Sequence, residues 1–125
     1  MAPRTNRLSD TELRVMDVIW SEGEASASRI AGVLKERYGY DVTTVYTLIS
    51  RCIKKGAVER CEPGYVCRPL IPQEKVQAEE TDGLIDRLFG GSADKLFAAL
   101  VKRKKLSPQE IDRLRSQADD IEVVE

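Results

Sequence analysis

The chain has 125 residues, of which 42% are hydrophobic and 33% are charged, and its formal net charge at pH 7 is −1. This composition is typical of a globular protein with many charged surface side chains, and the length suits one or two small domains. Because the sequence contains no histidine, imidazole-based catalysis and most zinc sites are excluded, and we predict no enzyme, no metal site and no cofactor.

The distribution of apolar and charged residues predicts a cytoplasmic protein made of two parts. The longest apolar run, Leu96 to Val101, is too short to cross a membrane, and no signal peptide is visible. Residues 1–68 contain 11 Lys and Arg against 9 Asp and Glu, whereas residues 69–125 contain 9 against 12. A mildly basic first part and an acidic second part favour two different roles.

The first part of the chain predicts three helices. Ser9 and Glu12 have the spacing of a capping box at the start of the first helix. Apolar residues at helical spacing predict a second helix over about residues 27–38, and a turn at residues 38–41 leads to a third helix over residues 43–55. Two helices joined by a turn of this length are typical of a helix-turn-helix.

The third predicted helix divides its side chains between two faces. At about 100° per residue, an apolar arc of roughly 140° lies opposite an arc of similar width that carries only hydroxyl and cationic groups. A solvated face in a chain this rich in acids would mix both signs, whereas residues 43–55 contain no Asp or Glu. The pattern predicts a helix that binds an anionic partner, with double-stranded DNA as the leading candidate. The polar arc contains Thr43, Thr44, Thr47, Ser50, Arg51, Lys54 and Lys55.

The segment after Gly56 predicts a β-hairpin of two short strands. Pro63-Gly64 stands at its centre, and Pro-Gly at the two central turn positions predicts a type II turn. If Glu62 faces Tyr65 across this turn, Cys61 pairs with Val66 and Arg60 pairs with Cys67 in the predicted register. Three helices followed by a hairpin predict a winged helix-turn-helix, which we assign to residues 1–71.

The three cysteines favour a packing role over a metal or redox role. In the predicted register Cys61 and Cys67 lie on opposite faces of the hairpin, because side chains alternate along a strand. Cys52 lies on the apolar arc of the third helix. Three separate small apolar residues are therefore the preferred interpretation, and a cysteine-based redox switch is the minor alternative.

Residues 72–125 predict a separate domain of three helices that forms a homodimer. Apolar residues recur at helical spacing, and Ser107-Pro108 followed by Glu110 is typical of a helix start. A unit of this size buries too little surface to be stable alone, so its apolar stripes predict a core shared between two copies. The residues assigned to this interface are Val76, Leu84, Ile85, Leu88, Phe89, Leu96, Phe97, Leu100, Ile111 and Leu114.

Residues 8–20, 44–51, 54–56 and 88–91 resemble signature segments of the penicillinase-repressor family of BlaI and MecI type. The resemblance extends over nearly the whole chain and implies a homodimeric winged-helix repressor that binds a palindromic operator ahead of resistance genes. In that family a membrane sensor-protease detects β-lactams, and cleavage within the C-terminal domain follows. The implied cleavage position is near Ala99-Leu100, where this sequence lacks the Asn-Phe pair of the staphylococcal repressors, and a sensor-linked protease is an implied partner.

The residue types on the third helix and hairpin predict their contacts with DNA. Arginine can bind guanine or a phosphate, and threonine can contact phosphates, base edges or thymine methyl groups. Tyr46 lies at the edge of the polar arc, where it can pack on the DNA backbone or flank the core. The residues assigned to the major groove are Thr43, Thr44, Tyr46, Thr47 and Arg51. The residues assigned to phosphates are Ser50, Lys54, Lys55, Arg60 and Arg68.

A second interpretation is a winged-helix module that binds another protein and does not bind DNA. The near-neutral net charge of −1 favours this alternative. The acid-free cationic arc of the third helix argues against it.

Overall fold

The computed structural model describes residues 7–120, so Arg4 and Ile121, which the sequence assigns to a basic arm and to the last helix, lie outside the described residues. The chain divides into an N-terminal unit that ends at Gln77 and a C-terminal unit that begins at Ala78. Among the described residues, no helix is both long enough and apolar enough to span a membrane. The elements are α1 (Asp10–Glu22), β1 (Ala25–Ser26), α2 (Ala27–Tyr38), α3 (Val42–Lys54), β2 (Val58–Cys61), β3 (Val66–Pro69), α4 (Gln73–Phe89), α5 (Ala93–Lys102) and α6 (Pro108–Asp119).

The capping box predicted at the start of α1 is confirmed. The hydroxyl of Ser9 accepts a hydrogen bond from the Glu12 amide at 3.2 Å, and the Glu12 carboxylate accepts one from the Ser9 amide at 2.8 Å. The first amides of a helix have no partner within the helix, so these two bonds satisfy groups that would otherwise need water.

The predicted helix-turn-helix consists of α2, a short turn and α3. The Ser26 hydroxyl accepts from the Arg29 amide at 3.1 Å, which caps α2. At the other end of α2, Gly39 has a φ of 72°, a left-handed conformation that glycine adopts without steric cost. The third helix begins at Val42, one residue before the predicted start, and Asp41 occupies its N-cap.

The hairpin of β2 and β3, here called the wing, is confirmed with the predicted register. Cys61 pairs with Val66 and Arg60 pairs with Cys67 in an antiparallel arrangement. Residues 25–26, for which the sequence predicts no strand, form β1 and pair with β3. The result is a three-stranded sheet in the order β1-β3-β2, which attaches the wing to the start of α2.

The loop of the wing is more complex than the predicted type II turn. Gly64 has a φ of 92°, as a type II turn requires at its third position. Tyr65 also has a positive φ, 51°, and the Glu62-Pro63 peptide bond is cis. The amide of Tyr65 donates to the carboxylate of Glu62 at 3.2 Å, so a side chain stabilises the loop.

The core of the N-terminal unit lies between α1, α2, α3 and the wing. Met16, Ile19, Ile30, Leu34 and Ile49 are among its fully buried side chains. Burying one side chain of this kind stabilises a protein by about 1.5–3 kcal/mol relative to leaving it exposed. The contribution of α3 to this core determines which of its faces remains in solvent.

Trp20 lies at the edge of the core and is partly buried. Its indole nitrogen donates to the carbonyl oxygen of Ile71 at 3.0 Å. Because a tryptophan N–H that leaves water needs a partner, this bond helps to hold the segment that follows the wing.

Glu12 is also part of an ion pair that the sequence did not predict. It is the only charged residue that is buried in the described part of the chain, with 2% of its surface exposed. Its Oε1 atom lies 2.6 Å from Nζ of Lys55, and the same ammonium donates to the carbonyl oxygen of Arg7 at 2.7 Å. Burial acts to raise the pKa of Glu12, but the hydrogen bonds from Lys55 and Ser9 lower it, and the result is below the ordinary value.

The three helices from α4 to α6 bury none of their side chains completely. The predicted capping box of α6 is confirmed, since Ser107 accepts from the Glu110 amide at 3.1 Å and Glu110 accepts from the Ser107 amide at 2.8 Å. Phe97, which the sequence assigns to the dimer interface, is 44% exposed in the single chain. It lines a groove in the C-terminal unit together with Ile111 and Leu114.

The Glu12→Gln substitution tests the buried ion pair. Glutamine retains an acceptor for the Ser9 amide but removes the charge that faces Lys55. We expect the free energy of unfolding at pH 7 to fall by about 1.5–3 kcal/mol, the range for hydrogen bonds to charged groups, as measured by urea denaturation. Asp17→Asn, at an exposed position of α1, is the control, and equal losses in the two variants would contradict the assignment.

Acid should remove the same contribution from the wild type. Because the pKa of Glu12 is lowered in the folded state, its stabilisation is complete above the unfolded-state pKa and is lost as the pH falls through the folded-state pKa. The difference in unfolding free energy between wild type and Glu12→Gln should therefore shrink on acidification.

Candidate nucleic-acid interface

The outward face of α3 is an exposed surface of hydroxyl and cationic side chains. The apolar arc is turned into the core, where Val45, Leu48, Ile49 and Cys52 are buried. The polar arc is therefore directed away from the core by the same packing. Its exposed members are Thr43, Thr44, Thr47, Ser50, Arg51 and Lys54.

Two cations on this face have no partner within the described residues. The side chains of Arg51 and Lys54 are exposed and form no hydrogen bond or ion pair there. Each can therefore bind an anion without first breaking an internal contact. This matters energetically because a cation that is already paired must exchange one partner for another.

The hydroxyl of Thr47 is partly committed to the helix itself. Its Oγ1 atom donates to the carbonyl oxygen of Thr43 at 3.0 Å, a bond that threonine commonly forms within helices. The hydroxyl oxygen remains able to accept a hydrogen bond, since a hydroxyl has one donor and two acceptor positions.

One edge of the polar arc is attached to α1. Lys55, which lies at the C-cap of α3, points its ammonium at Glu12 and Arg7, and its side chain is only 28% exposed. These contacts account for the position of the Lys55 side chain without DNA, and the phosphate contact assigned to it stays a prediction. Spacing in the sequence could not reveal the pair, because its members are 43 residues apart.

The other edge of the polar arc is attached to the wing. Tyr46 is half-buried, and its ring meets the ring of Tyr65 edge to face, with centroids 5.7 Å apart and planes at 87°. Tyr46 also packs against the core. These contacts account for the position of the Tyr46 side chain without DNA. The major-groove role assigned to Tyr46 stays a prediction.

The two cations of the wing are exposed but paired with carboxylates. Nε of Arg60 lies 2.6 Å from Glu62, and Nε of Arg68 lies 3.2 Å from Glu24. The hydrogen bond from Arg60 lowers the pKa of Glu62, so this carboxylate is ionised at neutral pH. A phosphate at either position would compete with an acid that is already in place.

The turn before α3 is held by a cluster that the sequence also missed. The guanidinium of Arg14 on α1 lies 4.0 Å from the ring centroid of Tyr38 and donates to the hydroxyl of Tyr40 at 2.8 Å. Cation–π contact and hydrogen bond together fasten the start of α3 to α1. The two tyrosines on either side of Gly39 could be noticed in the sequence as an aromatic pair in a turn. Nothing in the sequence indicated that Arg14, 24 or more residues earlier, is their partner.

Comparison with known proteins agrees with this architecture. The family model described as penicillinase repressor matches residues 8–120. The chain belongs to the penicillinase repressor family. It is 27% identical over 118 residues to the methicillin resistance regulatory protein MecI of Staphylococcus aureus (strain N315), covering 93% of this chain and 96% of that protein. It is 28% identical over 123 residues to the penicillinase repressor of Staphylococcus aureus, covering 97% and 98% respectively.

A solved structure supports the winged-helix fold of this penicillinase repressor family member. The solution structure of the DNA-binding domain of the repressor BlaI aligns with a TM-score of 0.51 and 31% sequence identity. The alignment covers 54% of this chain and 85% of that domain. The predicted family and the predicted fold class, mainly α-helical with a small hairpin, are both confirmed.

The three cysteines of this family member are free thiols, and two of them are buried in surroundings that make them unreactive. Cys52 and Cys67 are buried and Cys61 is half-buried. Burial raises the pKa of Cys52 to about 12 and also raises that of Cys67, so both are protonated at neutral pH. Within residues 7–120, no cluster of three or more His, Cys, Asp or Glu could hold a metal ion.

Thiol labelling tests this arrangement directly. Because the thiolate is the reactive form, we expect a disulfide-exchange reagent to label Cys61 first at neutral pH. Cys52 and Cys67 should be labelled only when the chain unfolds in denaturant. The Cys61→Ser variant should lose the fast phase and keep the slow one, whereas fast labelling that survives in this variant would contradict the burial of the other two thiols.

Proposed function

We propose that the chain is a DNA-binding transcriptional repressor that inserts α3 into the major groove of an operator. The observation that carries this proposal is the exposed, acid-free face of α3, with Arg51 and Lys54 unpaired among the described residues. The relatives support it by name, since they are called penicillinase repressor and methicillin resistance regulatory protein, and the structural relative is the DNA-binding domain of a repressor.

The proposed contacts follow from side-chain chemistry and exposure. Arg51 can form a bidentate pair with guanine, and Thr43, Thr44 and Thr47 can contact base edges, thymine methyl groups or phosphates. Ser50 and Lys54 would contact phosphates. Their hydroxyl and ammonium groups hold the register of the helix on the duplex but do not read its sequence.

The wing is proposed to add phosphate contacts that are weakened by the acids already paired with its arginines. Arg60 and Arg68 each donate from Nε to a carboxylate, Glu62 or Glu24 respectively, so a phosphate would bind beside that negative charge. Binding should therefore depend on the face of α3 more strongly than on the wing.

We also propose that the repressor is a homodimer formed through residues 72–125. Leu88, Phe97, Val101 and Leu114 are 67%, 44%, 40% and 43% exposed in the single chain. A second copy that covers these side chains would remove them from water and would place two copies of α3 on the half-sites of a palindromic operator.

Induction by proteolysis is the remaining part of the proposal, and it would connect the repressor to β-lactam resistance genes. The implied cleavage position, Ala99-Leu100, lies within α5, and both residues are partly buried. Proteases cut extended chains, so α5 would have to unfold locally before a sensor-linked protease could cleave it. In the single chain none of the α5 side chains is completely buried, so local opening of α5 would expose little additional core there.

The Arg51→Ala substitution tests the DNA-binding proposal. We expect the affinity for a duplex from the chain's own upstream region to fall by about 1–3 kcal/mol, the range for loss of a bidentate base contact. Fluorescence anisotropy measures this loss. Arg113→Ala on α6 removes the same charge from an exposed position outside the interface and should leave the affinity unchanged.

Two outcomes would count against this proposal in different ways. Unchanged affinity in Arg51→Ala would show that Arg51 is not one of the residues that contact bases. A wild-type chain that shows no preference for any duplex from its upstream region would favour the protein-binding module instead.

The Leu114→Asp substitution tests the dimer. Because Leu114 is not buried in the single chain, the variant should fold, but a charge in the proposed interface should give monomers at concentrations where the wild type sediments as a dimer. Leu70→Asp, which changes a leucine that is 54% exposed in the N-terminal unit, is the control. A wild type that stays monomeric, or a Leu114→Asp variant that stays dimeric, would contradict the assigned interface.

A further inference from the structure

We propose that Tyr65 is a positioning residue that holds the guanidinium of Arg60 in a fixed place relative to the outward face of α3. The inference rests on the proposed DNA-binding function. It gives the wing a cation with a fixed position in place of a flexible side chain. It comes from a set of contacts that all meet at the loop of the wing.

The backbone of Tyr65 is held at both of its peptide groups. Its amide donates to the carboxylate of Glu62 at 3.2 Å, and its carbonyl oxygen accepts from the amide of Ala27 at 2.9 Å. Ala27 is the buried first residue of α2. The left-handed conformation of Tyr65, with a φ of 51°, is thus supported from the wing and from the helix-turn-helix.

The ring of Tyr65 lies between α3 and Arg60. Its contact with Tyr46 on α3 is edge to face, with centroids 5.7 Å apart. The guanidinium carbon of Arg60 lies 3.6 Å from the centroid of the same ring, a distance at which a cation is attracted to an aromatic face. Tyr46, Tyr65 and Arg60 therefore form a continuous stack from the helix to the wing.

Glu62 closes this arrangement from the side. One of its oxygens accepts from Nε of Arg60 at 2.6 Å, and the other accepts from the Tyr65 amide. Arg60 is consequently held by the ring of Tyr65 and by the carboxylate of Glu62, and that carboxylate is itself bound to the amide of Tyr65. A long side chain held in this way loses less conformational entropy when it binds a phosphate.

The second wing cation lacks this connection to α3. Arg68 pairs with Glu24 at 3.2 Å, and the structure places no aromatic ring beside it among the described residues. Arg60 is therefore the wing cation whose position follows that of the recognition helix. A phosphate bound to Arg60 would lie at a set distance from the bases that α3 contacts.

A double-mutant cycle on the full-length chain tests the inference, with the upstream duplex as the probe in fluorescence anisotropy. Tyr65→Leu keeps the charge of Arg60 but removes the ring, and we expect it to weaken binding about as much as Arg60→Ala, by roughly 3–10-fold. In the Arg60→Ala background, Tyr65→Leu should cause little further loss, because residues that act through one contact are not additive. Tyr65→Phe keeps the ring and loses only the hydroxyl, so it should bind much closer to the wild type than Tyr65→Leu does.

The cycle separates positioning from a purely structural role. If Tyr65 only helps the wing to fold, Tyr65→Leu should weaken binding equally with and without Arg60, and that result would overturn the inference. Unchanged binding in Tyr65→Leu would overturn it as well. Should Tyr65→Leu fail to fold, Tyr65→Met keeps more flexible apolar volume without an aromatic face, and the same coupling is expected.

Failure of the inference can be distinguished from failure of the proposed function. A wild type that does not prefer its upstream duplex contradicts the DNA-binding proposal itself. A wild type that binds specifically, with Tyr65 and Arg60 effects that simply add, contradicts only the positioning role.

Discussion

Burial of the apolar arc of α3 is the constraint on which the candidate interface depends. Val45, Leu48, Ile49 and Cys52 leave water together, and each large apolar side chain among them favours this orientation by about 1.5–3 kcal/mol. A shift by one residue would turn the helix by about 100° and would bring polar side chains of the opposite arc into the core. Burying an unpaired cation is far more costly than burying a hydroxyl, so the core itself keeps Arg51 and its neighbours in solvent.

Contacts at both edges of α3 refine this orientation. On one side Lys55 reaches the buried Glu12 of α1, and on the other Tyr46 meets Tyr65 of the wing. The predicted interface is consequently narrower than the polar arc read from the sequence. The wing cations are also paired with acids, so attraction to DNA should come mainly from Arg51 and Lys54.

The sequence predicted the features that depend on neighbouring residues. Capping boxes at Ser9 and Ser107, the limits of α2 and the register of the wing follow from spacings of a few residues, and all are present. It did not predict contacts between distant segments, such as Glu12 with Lys55 or Arg14 with Tyr40, because helical periodicity says which face is buried but not what that face meets. A strand of two residues, β1, is likewise too short to have a period.

The most direct measurement is an NMR titration of the full-length, isotope-labelled chain with a duplex from its own upstream region. If α3 enters the major groove, the largest backbone shift changes should occur at residues 43–54, with smaller changes at the wing near Arg60. A scrambled duplex of the same composition should give weaker and less localised changes. Changes confined to α4, α5 and α6, or equal responses to both duplexes, would contradict the assignment of α3 as the recognition helix.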